Sequence, residues 1–368
     1  MVLSEAEDLK RYSFEIGAIR PPSEGGSYSL LIRATRNCPW SKCKFCYGTP
    51  YNREKFQMRP VEDIKEDIQS VKHIADGITV IAEKLGGMDW AGKVIDPLFL
   101  YEKDFGELNE NESSNLQSLV NVYNWLYSGG RTVFLQDANS LIMRPAELIE
   151  VVRYLKETFP SIERVTSYAR SKTLSKRSLE DLTAIRRSGL LRLHVGLESG
   201  DDDVLRYVNK GVTAKEQVLG GIKAKEAGFE LSEYVMPGLG GKKMSEQHAR
   251  NTASVLNEID PDFVRLRPYT PNPLTPLFEE WTSGNFELLS PHGYLREMKM
   301  MVEDLKFNGR LCFDHAMNFW RGRDERPLFR MDYGGYKFPE ERDEVLDLIE
   351  EGLKIKESRH VQRIEYLM

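Results

Sequence analysis

The 368-residue sequence has little of what would make it a disulfide scaffold, a membrane protein or a general nucleic-acid binder. Only four residues are cysteine, too few for a stapled framework. A hydrophobic content of 40% in a chain this long supplies a core that needs no staple. No run approaches the roughly 20 apolar residues of a membrane helix. The N-terminus, MVLSEAEDLKRYSF, lacks a basic start followed by a long apolar stretch, so no secretory signal is expected. Lysine and arginine number 51 against 57 acidic residues, a net charge of −6. A broad basic surface is therefore absent, and neither a long nucleic acid nor a membrane is an expected partner. These absences point to a cytoplasmic protein, where thiols stay reduced and clustered cysteines read as metal ligands or redox groups.

What cysteine there is sits together. Cys38, Cys43 and Cys46 lie in the segment RNCPWSKCKFCY, spaced C-x4-C-x2-C, with Phe45 directly before the last. Three thiolates on one loop suit three irons of a [4Fe–4S] cluster and leave the fourth iron open to a small ligand. The alternative is a non-enzymatic module holding zinc or a closed electron-transfer cluster. Both normally take a fourth protein ligand. Cys312 and His315 are the obvious distant candidates, and no spacing ties them to the loop.

Residues 1–27 form a polar lead-in that ends in breakers. Apolar strand-like runs then recur at 28–34, 132–135, 165–167, 191–197, 229–235 and 263–266. Helical patterns fall near 61–73, 145–158, 178–188, 214–227 and 245–259. This rhythm predicts an α/β fold of parallel strands with right-handed crossovers. The first interval is much the longest, so an insertion is expected near 79–130. A proline-rich loop at 268–276 precedes a helix near 292–307. At 339–357, Val345, Leu346, Ile349 and Leu353 share one helical face, expected to pack as a lid on the sheet. The expected organisation is a lead-in (1–27), a core (28–270) and a mainly helical, substrate-side extension (271–368).

The cysteine loop after the first strand, its Phe45 and the succession of β–α units together resemble the radical S-adenosylmethionine (radical SAM) superfamily over residues 28–270. The common loop there is C-x3-C-x2-C, so this sequence carries one extra residue. The phrases FLQDAN at 134–139, HVGLESG at 194–200 and MPGLGG at 236–241 are similar to those of stand-alone, single-cluster members of unassigned reaction. The resemblance implies a partial (β/α)6 barrel with a [4Fe–4S] cluster on Cys38, Cys43 and Cys46. It also implies S-adenosylmethionine on the open iron and an external electron donor of the flavodoxin or ferredoxin type. A 5′-deoxyadenosyl radical would then abstract hydrogen from the substrate.

Ligands of parallel α/β folds bind beyond the carboxyl ends of the strands. The resemblance accordingly implies cofactor contacts from Phe45, Gln136, Asp137, Ser167, Arg170, Glu198, Met236 and Leu266. Gln136 and Asp137 stand where a Gly-Gly-Glu-like segment is common, without its glycines, and Asp137 also reads as a turn or helix-entry residue. Ser167 and Arg170 suit the methionine carboxylate, although Arg170 equally reads as a surface residue. Glu198 suits the ribose or the amino group. His194 reads as a structural histidine.

On the substrate side, Cys312, Asp314 and His315 are the candidate catalytic residues. Asp314 stands beside His315 in sequence, a placement for orienting an imidazole in proton transfer. Cys312 is a hydrogen-atom donor, a thiol nucleophile or a small buried residue. The segment 318–326 mixes two aromatics with three arginines and offers contacts to an anionic substrate, or else is an exposed loop. There is no second cysteine set, no cysteine-rich C-terminal extension and no room for a cobalamin domain beside a full barrel. The expectation is a single-cluster enzyme acting on a small or medium metabolite by rearrangement, oxidation or carbon–carbon bond chemistry.

Overall fold

The computed structural model describes residues 2–18, 28–314 and 319–361. The chain divides into two compact units. One comprises Met1–Arg36, Gln57–Ser167 and Arg187–Leu190, the other Asn37–Phe56, Tyr168–Arg186 and Leu191–Met368.

In the first unit, β1 (Leu30–Arg33), β2 (Thr132–Gln136) and the opening residues of β3 (Arg164–Ala169) run parallel. Leu30 stands opposite Val133, and Val133 opposite Val165. All three side chains are fully buried, as near-continuous apolar strands are when both faces are covered. A short helix, α1 (Val2–Leu9), precedes β1. Between β1 and β2 lie α2 (Val61–Leu85), two short helices at Met88–Val94 and Pro97–Leu100, and α3 (Glu110–Tyr127). The expected insertion is therefore helical.

Helix α2 runs well past its expected end. The run Ile78, Thr79, Val80 and Ile81 is β-branched and reads locally as strand. Yet Ile78, Ile81 and Ala82 continue the buried stripe of Ile64, Ile68, Val71 and Ala75, and Thr79 satisfies its hydroxyl on the Ala75 carbonyl at 2.7 Å. Packing against α1 overrides the local preference: a Cβ at Gly77 would lie 2.7 Å from a Leu9 methyl carbon. At the start of α3, Asn109 and Glu112 close a capping box. Helix α4 (Pro145–Thr158) follows β2, with proline in its first turn.

In the second unit, β4 (Leu190–Glu198, all but its first residue), β5 (Glu230–Val235), β6 (Phe263–Leu266) and β7 (Arg310–Cys312) run parallel. The two-residue β8 (Tyr336–Lys337) pairs antiparallel with β7. Crossovers are made by α5 (Ala214–Glu226) and α6 (Ser245–Ile259). After β6 come α7 (Pro276–Thr282), α8 (Pro291–Asp304) and α9 (Arg342–Lys354).

The parallel α/β class and every expected strand run are present. β7 and β8 were not expected, being too short to show a period, so the 271–368 extension contributes strand as well as helix. Val345 and Ile349 are buried on α9 as anticipated. They serve packing chiefly against α8 rather than a lid on the sheet. No helix among the described residues is long and apolar enough to cross a membrane.

Candidate functional site

The cysteine loop belongs to the second unit. Asn37, Ser41, Tyr47 and Gly48 all take positive φ, which coils the chain tightly enough to bring three cysteines onto one short loop. Asn37 is buried and donates its amide to the Lys55 carbonyl at 2.7 Å. The Cys43 carbonyl accepts from the N–H groups of Cys46 and Tyr47, at 3.1 and 2.7 Å. The Ser41 N–H points at Cys38 Sγ, 3.5 Å away.

Anchors fix the loop from outside. Lys44 donates its N–H to the Val208 carbonyl at 2.8 Å and accepts from the Leu277 N–H at 3.1 Å. Trp40 Nε1 donates to the Asn209 carbonyl at 2.7 Å. Lys44 Nζ meets Glu280 Oε1 at 2.6 Å, and the Tyr207 hydroxyl donates to the other oxygen of the same carboxylate.

The three thiols are free and half-buried. Burial pushes Cys43 up to about 11, against the pull of Lys210 and Arg170, and burial raises Cys46 as well. Left alone, Cys43 and Cys46 hold their protons at neutral pH; a bound metal takes the protons' place. Among the described residues no three histidine, cysteine or acidic side chains converge on a single ion position. Ligands of a mononuclear site do converge in that way, whereas each cysteine of an iron–sulfur cube holds a different iron.

Around the loop stand the carboxyl ends of β4 and β5. Glu198 closes β4 at φ 65°, and its Oε1 accepts from Lys210 Nζ at 3.0 Å, with the two side chains only 14% and 11% exposed. Gly196 leaves room for this pair, since a Cβ there would lie 2.3 Å from Glu198 Oε1. Lys210 Nζ is 5.6 Å from the Phe45 ring centroid. Arg170 donates Nη2 to the Lys210 carbonyl at 2.8 Å and lies over the Trp40 ring. Phe45 and Met236 pack against a buried cluster that includes Val204, Leu239 and Tyr269. The Met236 N–H donates to the Glu198 carbonyl at 3.0 Å.

Helices α6 and α8 hold these strand ends in place. His248 Nδ1 meets Ser199 Oγ at 2.8 Å, and its Nε2–H donates to the Met236 carbonyl at 3.1 Å. Buried Glu297 accepts from the Gly238 N–H and the Ser245 hydroxyl, both at 2.5 Å.

Phe45, Arg170, Glu198 and Met236 thus gather around the cysteine loop; the other expected residues have the following partners. In the first unit, the Gln136 amide accepts from the Gly17 N–H at 2.8 Å and donates to its carbonyl at 3.3 Å. Asp137 accepts from Arg33 Nε at 2.7 Å, and Ser167 Oγ donates to the Leu135 carbonyl at 3.3 Å. All three side chains are fully buried there. Leu266 is a fully buried residue of β6. Cys312 is buried in β7, its S–H toward the Tyr333 carbonyl at 3.6 Å, and burial pushes its thiol up to about 12. A thiolate nucleophile at neutral pH is therefore disfavoured. Asp314 Oδ2 is held by Arg265 Nη1 at 2.5 Å, so that oxygen serves an ion pair. His315 lies outside the described residues.

Lys210, Glu233 and Glu280 were not marked by the sequence. Lys210 and Glu280 carry no motif. Glu233 did leave a signal: Leu231, Glu233 and Val235 share one phase of β5, and a lone acid in the apolar phase of a strand is out of place.

Residues 114–253 match the radical SAM superfamily model. Over that span, under half of its length, the chain is similar to the radical SAM superfamily. The matched span begins beyond the cysteine loop, and the superfamily it resembles uses a [4Fe–4S] cluster and S-adenosylmethionine.

Human Elongator complex protein 3 is 29% identical over 145 residues, which is 39% of this chain and 26% of that protein. The tRNA uridine(34) acetyltransferase of Methanocaldococcus jannaschii is 23% identical over 110 residues, 29% of this chain and 20% of that one. The chain therefore spans about a quarter of the length of these curated relatives. A solved structure of the radical S-adenosylmethionine methyltransferase TsrM from Kitasatospora setae aligns with TM-score 0.45 and 13% identity, over 70% of this chain and 39% of that one.

Proposed function

We propose that this radical SAM enzyme holds its [4Fe–4S] cluster on Cys38, Cys43 and Cys46. It binds S-adenosylmethionine against Phe45, Arg170, Glu198 and Met236, and acts on a small or medium metabolite. One observation carries the reading: in a single unit, the three-cysteine loop lies with the Glu198–Lys210 pair and the Phe45–Met236 packing. The donor set fits. Thiolates are soft ligands suited to iron–sulfur clusters, and Lys210 and Arg170 both favour the charged form of Cys43. When bound, the cluster and cofactor supply one-electron cleavage of the sulfonium, giving a carbon radical that takes a hydrogen atom from substrate.

The protein's share is binding, orientation and exclusion of water. Lys210 fixes the direction of the Glu198 carboxylate. The cluster beneath Phe45 and Met236 keeps the site dry. His248 and Glu297 hold the ends of β4 and β5, so that Glu198 and Met236 stay in register. Electrons come from an external flavodoxin- or ferredoxin-type donor in the cytoplasm.

A second reading is a tRNA substrate. It rests on the partial identity to a protein named tRNA uridine(34) acetyltransferase, and the net charge of −6 weighs against it. A gel-shift titration with total tRNA separates the two, because metabolite specificity predicts no salt-sensitive shift.

The cofactor assignment is tested by anaerobic reconstitution. Iron and sulfide are expected, with an electron paramagnetic resonance signal on reduction that changes when S-adenosylmethionine is added. Zinc without sulfide, or a signal indifferent to S-adenosylmethionine, would favour a structural or electron-transfer module instead.

A further inference from the structure

A cavity of about 800 Å³ opens in the second unit, between the start of α6, the segment 281–290 and the first turns of α8. The cofactor reading makes no use of it. Its volume falls in the range of small-molecule pockets. Trp281, Phe286, Tyr294, Phe319 and Trp320 supply much of its wall, and all but Trp281 are buried. The polar tips of two of these rings are taken up inside the protein. The Tyr294 hydroxyl donates to the Tyr269 carbonyl at 2.8 Å, and Trp320 Nε1 donates to the Pro291 carbonyl at 3.0 Å. The two rings lie 6.4 Å apart at 63°, an edge-to-face arrangement that aromatic rings prefer and that a further flat ring can extend.

Four charged residues also line the cavity. Lys242 Nζ and Glu287 Oε2 face each other at 3.3 Å, and Glu246 Oε1 accepts from Arg250 Nε at 3.0 Å. Arg296, exposed on α8, makes no hydrogen bond or ion pair among the described residues. Glu357 lies within electrostatic reach of it, but Glu357 Oε1 already accepts from the His292 N–H at 2.8 Å. Three of the four charges are thus matched within the protein, and one guanidinium is left over. Its planar fork suits a carboxylate.

We infer that this cavity is a binding site for a flat aromatic anion, its ring against the aromatic wall and its anionic group on Arg296. The site is separate from the proposed S-adenosylmethionine site but adjoins it through one side chain. Phe286 belongs to the buried cluster on which Phe45 and Met236 pack. The same ring stacks on Tyr207 at 6.1 Å and meets Tyr269 edge-on at 5.8 Å. Binding here needs neither cluster nor cofactor, so the inference goes beyond the functional reading.

The test is isothermal titration of the reconstituted full chain with three probes. These are 2-naphthoate, its uncharged amide 2-naphthamide, and octanoate, an anion without a ring. 2-Naphthoate should bind at one site per chain, about fivefold more tightly than the amide, the scale of one exposed charge pair. Octanoate should bind more weakly than 2-naphthoate. Arg296→Gln should remove the preference for acid over amide, and Arg296→Lys should keep part of it. The position is exposed, so neither variant should move the melting temperature noticeably. Met300→Trp, which fills the cavity from its wall, should weaken 2-naphthoate and 2-naphthamide alike.

Absence of saturable 2-naphthoate binding by wild type overturns the inference. So does an acid-over-amide preference that survives in Arg296→Gln, or octanoate binding as tight as that of 2-naphthoate. Each of these results leaves the functional reading standing, because cleavage of S-adenosylmethionine is measured separately.

Discussion

Lys44 and Glu280 meet at 2.6 Å, tying the middle of the cysteine loop to helix α7. The ammonium also lies 4.5 Å from the Tyr207 ring centroid, and the Tyr207 hydroxyl donates to the same carboxylate. The loop is thus held at its centre by a three-residue clamp from two separate segments.

Breaking that clamp should loosen the loop more than the fold. The Lys44 and Glu280 side chains are partly exposed, so Glu280→Gln should cost about 1 kcal/mol of stability or less. Loss of orienting partners around metal ligands typically lowers metal affinity about tenfold or more. Iron and sulfide assays after gel filtration should show reduced cluster content in Glu280→Gln, with a nearly unchanged melting temperature. Full retention of iron would show that the clamp does not matter.

Glu233, 1% exposed on β5, makes a prediction about pH. Its unfolded reference is 4.5, and burial raises the folded value well above that. Below pH 4.5 both states keep the proton, and the group costs nothing. As pH rises through 4.5, the unfolded chain ionises while the folded one does not, so this group increasingly destabilises the fold until its folded value is passed. Glu233→Gln should therefore raise the melting temperature at pH 7.5, and the gain should shrink towards pH 4.5. A gain that does not vary with pH would contradict the linkage.

Gly196 tests the orientation of Glu198. An alanine Cβ would press on Glu198 Oε1 at 2.3 Å and come within 3.1 Å of Lys210 Nζ. Both are ends of flexible side chains, so Gly196→Ala should fold while the ion pair is displaced. The expected result is weaker S-adenosylmethionine binding, by about tenfold, at an unchanged circular dichroism spectrum.

His248 links two loops at once. His248→Ala strips partners from Ser199, from the Met236 carbonyl and from the surroundings of buried Glu297. A loss of about 2–4 kcal/mol is expected in denaturant titration. His248→Gln, which can still reach one partner, should lose less.

Much of this was legible in the sequence because it repeats or clusters. The strand runs at 132–135, 191–197 and 263–266 needed only apolar patterning, and three cysteines in nine residues mark themselves. What was not legible came from long-range pairing. Lys210 meets Glu198 only when the chain beyond β4 folds back onto its carboxyl end. Gln136 was read beside the cofactor, and the sequence gives no hint that its amide also accepts from Gly17, 119 residues away. Asp314 was read against its neighbour His315, but Arg265, 49 residues earlier, holds one of its oxygens. The long α2 was hidden by a β-branched run whose strand preference was outweighed by packing.

The central claim is that the cysteine loop supports cleavage of S-adenosylmethionine. Anaerobic, dithionite-reduced enzyme should release 5′-deoxyadenosine from S-adenosylmethionine, measured by liquid chromatography and mass spectrometry. Cys38→Ala, Cys43→Ala and Cys46→Ala should each abolish the release, whereas Cys312→Ala should leave it intact. Release that survives loss of any one of the three loop cysteines would contradict the account.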